Sequence, residues 1–298
     1  MSRDTLTLGL LQHACPPAAS PGENLDRAEA LAADAVKRGA TLLVTQELFT
    51  GYYFPQVEDE ARFDLAEPIP GPTTRRLAAW ATRWGVFVSG SLFERRAPGV
   101  YHNTSVLLNP AGELVGTYRK MHVPDDPRFY EKYYFTPGDT GFNSFGVGPS
   151  PRDGEAARAG MLVCWDQWFP EAARLTAMSG ADVLLYPTAI GYDRRETETD
   201  REQQRDAWRT VQRAHAIANG VFVAVANRVG VEDDLTFWGS SFVADPGGVV
   251  IAEASRDREE AVVAELDLSR IERVRRGWPF LRDRRIDAYS PLTRRMIT

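Results

Sequence analysis

The residue best suited to carry out a reaction is Cys164, which lies where an apolar strand ends and the chain continues into a helix. Residues 161–163 are apolar, and the Trp-Asp-Gln-Trp-Phe stretch that follows Cys164 leads into a predicted helix beginning at Pro170. The sequence holds one other cysteine, Cys15, so we predict neither a disulfide framework nor a cysteine-based zinc site. A strand-to-helix turn can present a thiol for nucleophilic attack, and the alternative is a buried structural cysteine.

Two further strand ends carry groups that would serve such a thiol. Glu47 ends the apolar segment 41–46 and precedes a leucine and a phenylalanine, which predicts a desolvated carboxylate suited to accept a proton. The alternative is a glutamate turned toward water. Lys120 follows the predicted hairpin strand 113–118 and is one of three lysines among 35 basic residues. A lysine retained in an arginine-rich chain indicates a need for a compact ammonium group.

Glutamate, lysine and cysteine in this order, each at its own strand end, resemble the triad of the nitrilase superfamily of carbon-nitrogen hydrolases. The motifs that carry the resemblance are Thr45–Phe49, Tyr118–His122 and Val163–Asp166. The segment Tyr130–Asp139 resembles the part of many members that holds a second active-site glutamate, which in this sequence is Glu131. The resemblance extends over nearly the whole chain, from Leu8 to about Tyr289.

The resemblance implies a role for each of these residues in hydrolysing an amide or urea-like C–N bond. Cys164 would attack the carbonyl carbon, and Glu47 would carry the thiol proton to the departing ammonia and later activate water. Lys120 and the backbone N–H of Trp165 would stabilise the oxyanion. Glu131 would orient Lys120 and the substrate nitrogen. This chemistry uses no cofactor, and we assign none.

The histidines give no indication of a metal site. They are scattered, without an HxxxH pair or the Cys/His spacing of a zinc site: His13, His102, His122 and His215. His215 lies on the apolar face of a predicted helix, which favours a packed residue. The glycines of 138–141 lack the sequence of a phosphate-binding loop, so nucleotide binding is not predicted either.

The residues after the candidate nucleophile indicate the charge of the substrate. The stretch 164–174 resembles the branch of the superfamily that hydrolyses N-carbamoylputrescine, and segments 122–135 and 186–191 do so as well. Relatives that cleave N-carbamoyl amino acids carry an arginine shortly after the cysteine, which pairs with the substrate carboxylate. Residues 165–168 are Trp, Asp, Gln and Trp, which suit an alkylammonium tail. We expect substrate-binding residues among Tyr52, Asp125, Asp126, Trp165, Asp166 and Asp193.

Other functions stay open at this point. The chain could hydrolyse another N-carbamoyl amine or amino acid, or an aliphatic amide. It could also be a non-catalytic scaffold that keeps the fold, although the intact Glu47, Lys120, Glu131 and Cys164 set argues against this. Residues 125–129 depart from the glycine-containing loop expected in close relatives, which leaves the contacts to the substrate tail undecided.

The elements that must position these residues predict an α/β protein. Each half of the chain alternates apolar strands with helices and ends in a hairpin, with helices predicted over 24–38, 72–84, 170–179 and 201–219. This pattern favours two mixed β-sheets with outer helices, which is the αββα sandwich of the superfamily. No linker divides the halves, so we predict a single domain over 1–298. The tail 270–298 would pack at a subunit interface or on its own subunit.

Composition excludes several classes of partner. The formal net charge is −6, and no basic cluster interleaved with aromatic residues is present, so no nucleic-acid surface is predicted. No apolar run approaches the ~20 residues of a membrane helix, and the N-terminus does not resemble a signal peptide. We therefore expect a cytoplasmic protein with reduced thiols that acts on a small molecule with a cationic tail. The superfamily resemblance implies a homo-oligomer.

Overall fold

Two six-stranded sheets, each built around three parallel strands, form the frame of the protein. The computed structural model describes residues 5–148 and 156–297. The strands of these residues are β1 (Thr5–Gln12), β2 (Leu42–Thr45), β3 (Phe87–Ala97), β4 (Val100–Leu108), β5 (Leu114–Arg119), β6 (Ser144–Gly146), β7 (Arg158–Met161), β8 (Val183–Thr188), β9 (Gly191–Asp193), β10 (Phe222–Asn227), β11 (Val229–Glu232), β12 (Leu235–Trp238), β13 (Phe242–Ala244), β14 (Val250–Glu253) and β15 (Glu260–Asp267).

The two sheets repeat one plan. The first has the order β15-β1-β2-β3-β4-β5, in which β1, β2 and β3 are parallel and the flanking pairs are antiparallel. The second has the order β14-β13-β10-β8-β7-β6, in which β7, β8 and β10 are parallel. A small antiparallel sheet of β11, β12 and β9 extends from the second sheet. Parallel neighbours place their carboxyl ends at one edge, where functional residues collect in α/β proteins.

Four helices pack on the outer faces of the sheets, namely α1 (Pro21–Lys37) and α2 (Pro72–Trp84) on the first and α4 (Pro170–Met178) and α5 (Glu198–Asn219) on the second. The short helix α3 (Glu131–Tyr134) follows β5, and α6 (Ser269–Gly277) follows β15. Helices α1 and α5 begin earlier than predicted because each has an N-cap at its start, Ser20 in a capping box with Glu23 and Thr197 on the amide of Asp200. Gly85 ends α2 at φ 66°, as its glycine predicted.

Side-chain alternation along the strands produces the layers. Leu8 and Leu10 of β1 belong to one apolar core with Leu185 and Val223 of the second sheet, so the two sheets pack face to face. Gly9, between them, points outward to α1. A Cβ atom at Gly9 would lie 2.8 Å from the Cβ of Ala35, so only glycine lets this helix approach so closely. The predicted αββα sandwich of two mixed sheets is confirmed.

The segments 51–70 and 123–141 have no regular pattern of apolar residues in the sequence, and each contains short helices in the structure. The first holds two 3-10 helices, and the second holds α3. The strand before Cys164 is shorter than predicted: β7 ends at Met161, and Cys164–Trp168 form a 3-10 helix ahead of α4. Within the described ranges, no helix is both long and apolar enough to cross a membrane.

Candidate active site

The three predicted strand ends meet between the sheets. Glu47 follows β2, Lys120 follows β5 and Cys164 follows β7, so two of the residues come from the first sheet and one from the second. The backbone N–H of Glu47 donates to the carbonyl of Thr188 at the end of β8, 3.4 Å away, and this bond joins the two sheets beside the cluster. Leu48 and Cys164 have φ values of 47° and 40°, so the chain makes a tight turn after β2 and another after β7.

Lys120 joins two carboxylates in a buried environment. Its Nζ atom lies 2.8 Å from Oε1 of Glu47 and 2.6 Å from Oε2 of Glu131, and all three side chains are buried. Burial alone would lower the pKa of Lys120, but the charges of Glu131 and Glu47 outweigh it and raise the pKa above its ordinary value. The lysine is therefore a fixed positive charge throughout the physiological range.

Neighbouring side chains fix both carboxylates. Asn103 Nδ2 donates to Oε1 of Glu47 at 2.7 Å, and the Tyr53 hydroxyl donates to Oε1 of Glu131 at 2.5 Å. Oε2 of Glu47 has no hydrogen-bond partner among the described residues. Burial raises the pKa of Glu131 to about 7, with Lys120 opposing the rise and Glu47 adding to it. One carboxylate oxygen is thus left free to accept a proton next to a fixed cation.

Cys164 is the first residue of its 3-10 helix and is 5% exposed. Burial, followed by the negative charge of Glu47, raises the pKa of the thiol well above its ordinary value, while Lys120 lowers it. The resting group is accordingly a thiol, and it needs a proton acceptor before it can act as a nucleophile. The backbone N–H of Trp165, in the first turn of the same helix, belongs to the amides that lack an intrahelical partner.

A cavity of about 540 Å³ opens onto this cluster. Cys164 and Glu131 form part of its wall, and aromatic or branched apolar side chains form much of the rest, namely Phe129, Trp165, Trp168, Ile190 and Trp238. Its charged lining consists of four acids and one arginine: Asp126, Glu131, Asp193, Glu196 and Arg195. The described lining therefore favours a cationic or neutral ligand with an apolar stem over an anion.

Three predicted substrate-binding residues line this cavity, namely Asp126, Trp165 and Asp193. Trp165 contributes its ring, which stands 6.5 Å from the ring of Trp168. Asp193 contributes a carboxylate that accepts Nε and Nη2 of Arg195 at 2.8 and 2.6 Å. These hydrogen bonds lower the pKa of Asp193 to about 2, so it is ionised and already paired with an exposed arginine.

Asp166 lies behind the cysteine turn instead of in the cavity wall. Its fully buried carboxylate accepts the Tyr118 hydroxyl at 2.8 Å, the Val163 amide at 2.9 Å and Nδ1 and the amide of His122 at 2.7 and 3.1 Å. All of its acceptor capacity is used by the protein, which leaves none for a substrate amine. The expectation that Asp166 binds the substrate is corrected accordingly: it ties the strand before Lys120 to the turn of the cysteine.

Two other expected binding residues also lie outside the cavity lining. Asp125 is exposed, and it is the next residue, Asp126, that reaches the cavity. Tyr52 donates its hydroxyl to Asp233 at 2.9 Å and lines a different cavity, together with Leu48. Asp125 thus lies in a loop that contributes to the active-site cavity, whereas the described lining includes no residue of the segment 51–70.

Two residues that bind the carboxylates of the cluster were not predicted from the sequence. Asn103 lies on β4 and Tyr53 lies in the irregular segment after β2, and neither position carries a local motif. The one available signal is a polar residue at 103 in a strand whose following residues are buried and largely apolar.

His215 is packed as predicted, with Nε2 2.8 Å from the carbonyl of Gln167. No group of three or more His, Cys, Asp or Glu side chains within 5–148 and 156–297 is arranged to hold a metal.

The fold and this cluster define a hydrolase of carbon-nitrogen bonds. The chain belongs to the carbon-nitrogen hydrolase family, whose family model matches residues 7–276, and the resemblance drawn from the motifs is confirmed. The N-carbamoylputrescine amidase of Solanum lycopersicum is 44% identical over 297 residues, covering 96% of this chain and 94% of its own. The citrullinase of Francisella tularensis is 37% identical, covering 92% and 93%. The structure of a carbon-nitrogen hydrolase from Helicobacter pylori matches with a TM-score of 0.91 at 44% identity, covering 98% of this chain and all of that one.

Proposed function

We propose that this protein is a thiol-dependent amidohydrolase that converts N-carbamoylputrescine and water to putrescine, carbon dioxide and ammonia. The observation that carries the proposal is the Glu47–Lys120–Glu131 cluster, with contacts of 2.8 and 2.6 Å, set beside Cys164 at an acidic, aromatic cavity. The similarity to plant N-carbamoylputrescine amidases supports this choice of substrate.

In the first half of the reaction, Cys164 attacks the ureido carbon while Glu47 takes the thiol proton on its free Oε2. A cysteine with a raised pKa needs this transfer, because its thiolate is not populated at rest. Collapse of the tetrahedral intermediate breaks the C–N bond, and the proton held by Glu47 leaves with ammonia. Cys164 then carries the substrate as a carbamoyl thioester.

Lys120 and the amide N–H of Trp165 stabilise the negative charge that develops on the carbonyl oxygen. Both groups are fixed before the substrate arrives, the lysine by its two carboxylates and the amide by its turn. Glu131 is the carboxylate of the cavity wall that contacts Lys120, and it orients the substrate nitrogen.

In the second half, Glu47 accepts a proton from a water molecule that attacks the thioester and returns that proton to the departing sulfur. The products are the free thiol and a carbamate, which decomposes to carbon dioxide and the amine. The same carboxylate thus serves as base and acid in turn, which its position among buried charges allows.

The cavity lining supports a substrate with a cationic tail. Tryptophan rings offer an apolar wall for a methylene chain and a π face for an ammonium group. The arginine that lines the cavity, Arg195, is bound to Asp193, so a substrate carboxylate would meet no free guanidinium among the described lining residues.

A ureido amino acid is the second candidate substrate, because the similar citrullinase indicates that this chain length and fold also accommodate such an activity. Ammonia release across a panel tests both proposals. N-Carbamoylputrescine should exceed N-carbamoyl-β-alanine, citrulline and a neutral N-alkylurea in kcat/KM. Preference for citrulline or for the carboxylate compounds would reject the proposed substrate and leave the hydrolase class intact.

We also propose the setting in which the enzyme works. It would be a single domain over 1–298, cytoplasmic, supplying putrescine for polyamine biosynthesis, and homo-oligomeric. Apolar side chains of the C-terminal tail support an oligomer, since Trp278, Ile286 and Leu292 are 58%, 75% and 65% exposed in the single chain. Light scattering on the full chain and on a variant with these three residues changed to serine measures the contribution of the tail.

A further inference from the structure

Arg228 is a fully buried arginine that no step of the proposed reaction uses. It lies between β10 and β11, is 0% exposed, and is not among the residues that line the cavity. Its single ionic partner among the described residues is Glu232, with Nη1 2.7 Å from Oε1, and that carboxylate is 1% exposed on its side chain. A buried ion pair is a poor source of stability compared with apolar packing, so this pair needs another explanation.

The guanidinium binds the turn that carries Glu47. Nη2 donates to the carbonyls of Glu47 and Leu48 at 3.0 and 2.9 Å, and Nη1 donates to the carbonyl of Gly51 at 2.9 Å. Three carbonyls of one turn therefore converge on one side chain. This turn contains Leu48 at φ 47°, a conformation that a leucine adopts only when its surroundings enforce it.

The partner carboxylate extends the same support to the second glutamate. Oε2 of Glu232 accepts the backbone N–H of Tyr53 at 2.6 Å, and the hydroxyl of Tyr53 donates to Oε1 of Glu131 at 2.5 Å. The ring of Tyr53 also lies 5.9 Å from the guanidinium carbon of Arg228. One ion pair thus reaches both carboxylates that hold Lys120, through backbone on one side and a tyrosine on the other.

We propose that Arg228 and Glu232 are positioning residues that aim Glu47 at the Cys164 thiol and keep Glu131 on Lys120. This inference rests on the proposed role of Glu47 as the proton carrier, but not on which carbon-nitrogen compound is the substrate. The planar fork of arginine is required, because one ammonium group cannot donate in the fixed directions of three carbonyls and a carboxylate.

The test is a set of variants assayed with whichever panel compound the wild type hydrolyses fastest. In Arg228→Lys the charge is kept and the fork is lost, so kcat should fall ~10- to 100-fold while KM stays within about threefold, as expected for a misaimed catalytic group. The same substitution at an exposed position, Arg213→Lys, is the control. Arg213 donates from α5 to a carbonyl remote from the site, that of Gly248, and its kcat should stay within about twofold of wild type.

A pH profile separates positioning from a purely structural role. The charged or titratable groups facing Glu47 are Lys120, Glu131, Cys164, Tyr53 and Arg228. Arg228→Met removes a positive charge and should move the acidic limb of kcat/KM to higher pH. Glu232→Gln removes a negative charge and should move it to lower pH, with a smaller loss of kcat. A pair that only supported folding would lower the amplitude with the fraction folded and leave both limbs unmoved.

The results distinguish failure of this inference from failure of the proposed reaction. A fully active Glu47→Gln variant would overturn the proposed proton carrier and with it the positioning role. An inactive Glu47→Gln variant together with a folded, fully active Arg228→Lys variant would overturn the positioning role alone. If circular dichroism shows that Arg228→Lys does not fold, Glu232→Gln decides: wild-type kcat and an unmoved acidic limb in that variant reject the inference.

Discussion

Charged residues are held differently in two parts of the cavity. The inner cluster consists of Glu47, Lys120, Glu131 and Cys164, and the rim includes Asp193 and Arg195. Lys120 pairs with Glu47 across 73 positions of sequence, and their side chains are completely buried. At the rim, Asp193 pairs with a residue two positions away, Arg195, whose side chain is 67% exposed. The inner charges are fixed by the whole fold, whereas the rim charges are set by one loop and screened by water and salt.

This difference separates reaction from selection. Changes in the inner cluster should act on kcat for every substrate, since each member contacts the reacting atoms or another member. Changes at the rim should act on the choice between substrates and should be smaller. Variants of the two regions can test this separation.

Cys164→Ala should abolish turnover, by at least ~1,000-fold, because it removes the attacking atom and little volume. Cys15→Ala is the matched control. Cys15 is also buried, with burial raising its pKa to about 12, but its sulfur donates to the carbonyl of Phe49 outside the inner cluster. Its activity should stay within a few-fold of wild type. Ammonia release at a comparable rate from the Cys164 variant would contradict covalent thiol catalysis.

Lys120→Arg should lower kcat ~100-fold or more while keeping the charge. A guanidinium is larger and planar, and the site holds a compact ammonium between two carboxylates at 2.8 and 2.6 Å. Glu47→Gln and Glu131→Gln should also lose most activity. Steady-state kinetics on folded protein provides the measurement, and a near-normal rate for the arginine variant would reduce Lys120 to a structural residue.

The pH dependence of kcat/KM should show an acidic limb near pH 7. The pKa of Glu131 is about 7, so below this pH the carboxyl takes up a proton and no longer pairs with Lys120 as an anion. Activity is therefore present above the limb and lost as pH falls through it. The limb reports the coupled set of inner groups. In the residual activity of Glu131→Gln the acidic limb should move to lower pH, because the variant lacks one negative charge in the cluster. An unmoved limb would mean that groups outside the inner cluster produce it.

At the rim, Asp193→Asn should reduce kcat/KM for the cationic substrate by ~10-fold and leave a neutral N-alkylurea nearly unchanged. Asp125→Asn, an exposed acid outside the cavity lining, is the control and should change neither substrate. Asp166→Asn should harm both substrates alike, because this residue supports the turn of the cysteine. Equal losses of kcat/KM on both substrates in the Asp193 variant would contradict a role for the rim in substrate selection.

The smallest effect concerns stability outside the cavity. Burial lowers the pKa of His13 to about 4 from 6.5, so the unfolded chain binds a proton between these values that the folded chain does not. Stability is therefore lost as pH falls through this window, by about 2 kcal/mol for this residue from pH 7 to pH 5. Urea unfolding of wild type and His13→Gln at both pH values should show a shallower pH dependence in the variant. Equal slopes would mean that His13 is not held neutral.

The parts of the site that could be predicted from the sequence are those attached to strand ends. Glu47, Lys120 and Cys164 follow predicted strands. β2 and β5 run in the same direction in the first sheet, so their carboxyl ends lie at one edge, whereas the end of β7 joins them only because the second sheet packs on the first. The αββα layers followed from the alternation of strands and helices for the same reason. Local sequence pattern contains this information because strand period and helix period differ.

The rest depended on directions that the sequence does not encode locally. Asp166 is two positions from the nucleophile, but the 3-10 turn points its carboxylate toward Tyr118 and His122, away from the cavity. Asn103 and Tyr53 reach the carboxylates from segments without a motif. Contacts of this kind join residues far apart in sequence, so they appear only once the sheets are packed.

The origin of the inner cluster in both sheets ties activity to the way the sheets pack. The acid and the ammonium belong to one sheet and the sulfur to the other, so a chain with both sheets formed but not packed together would have no assembled cluster. Activity therefore reports the packing of the two sheets on each other and not the integrity of either sheet alone.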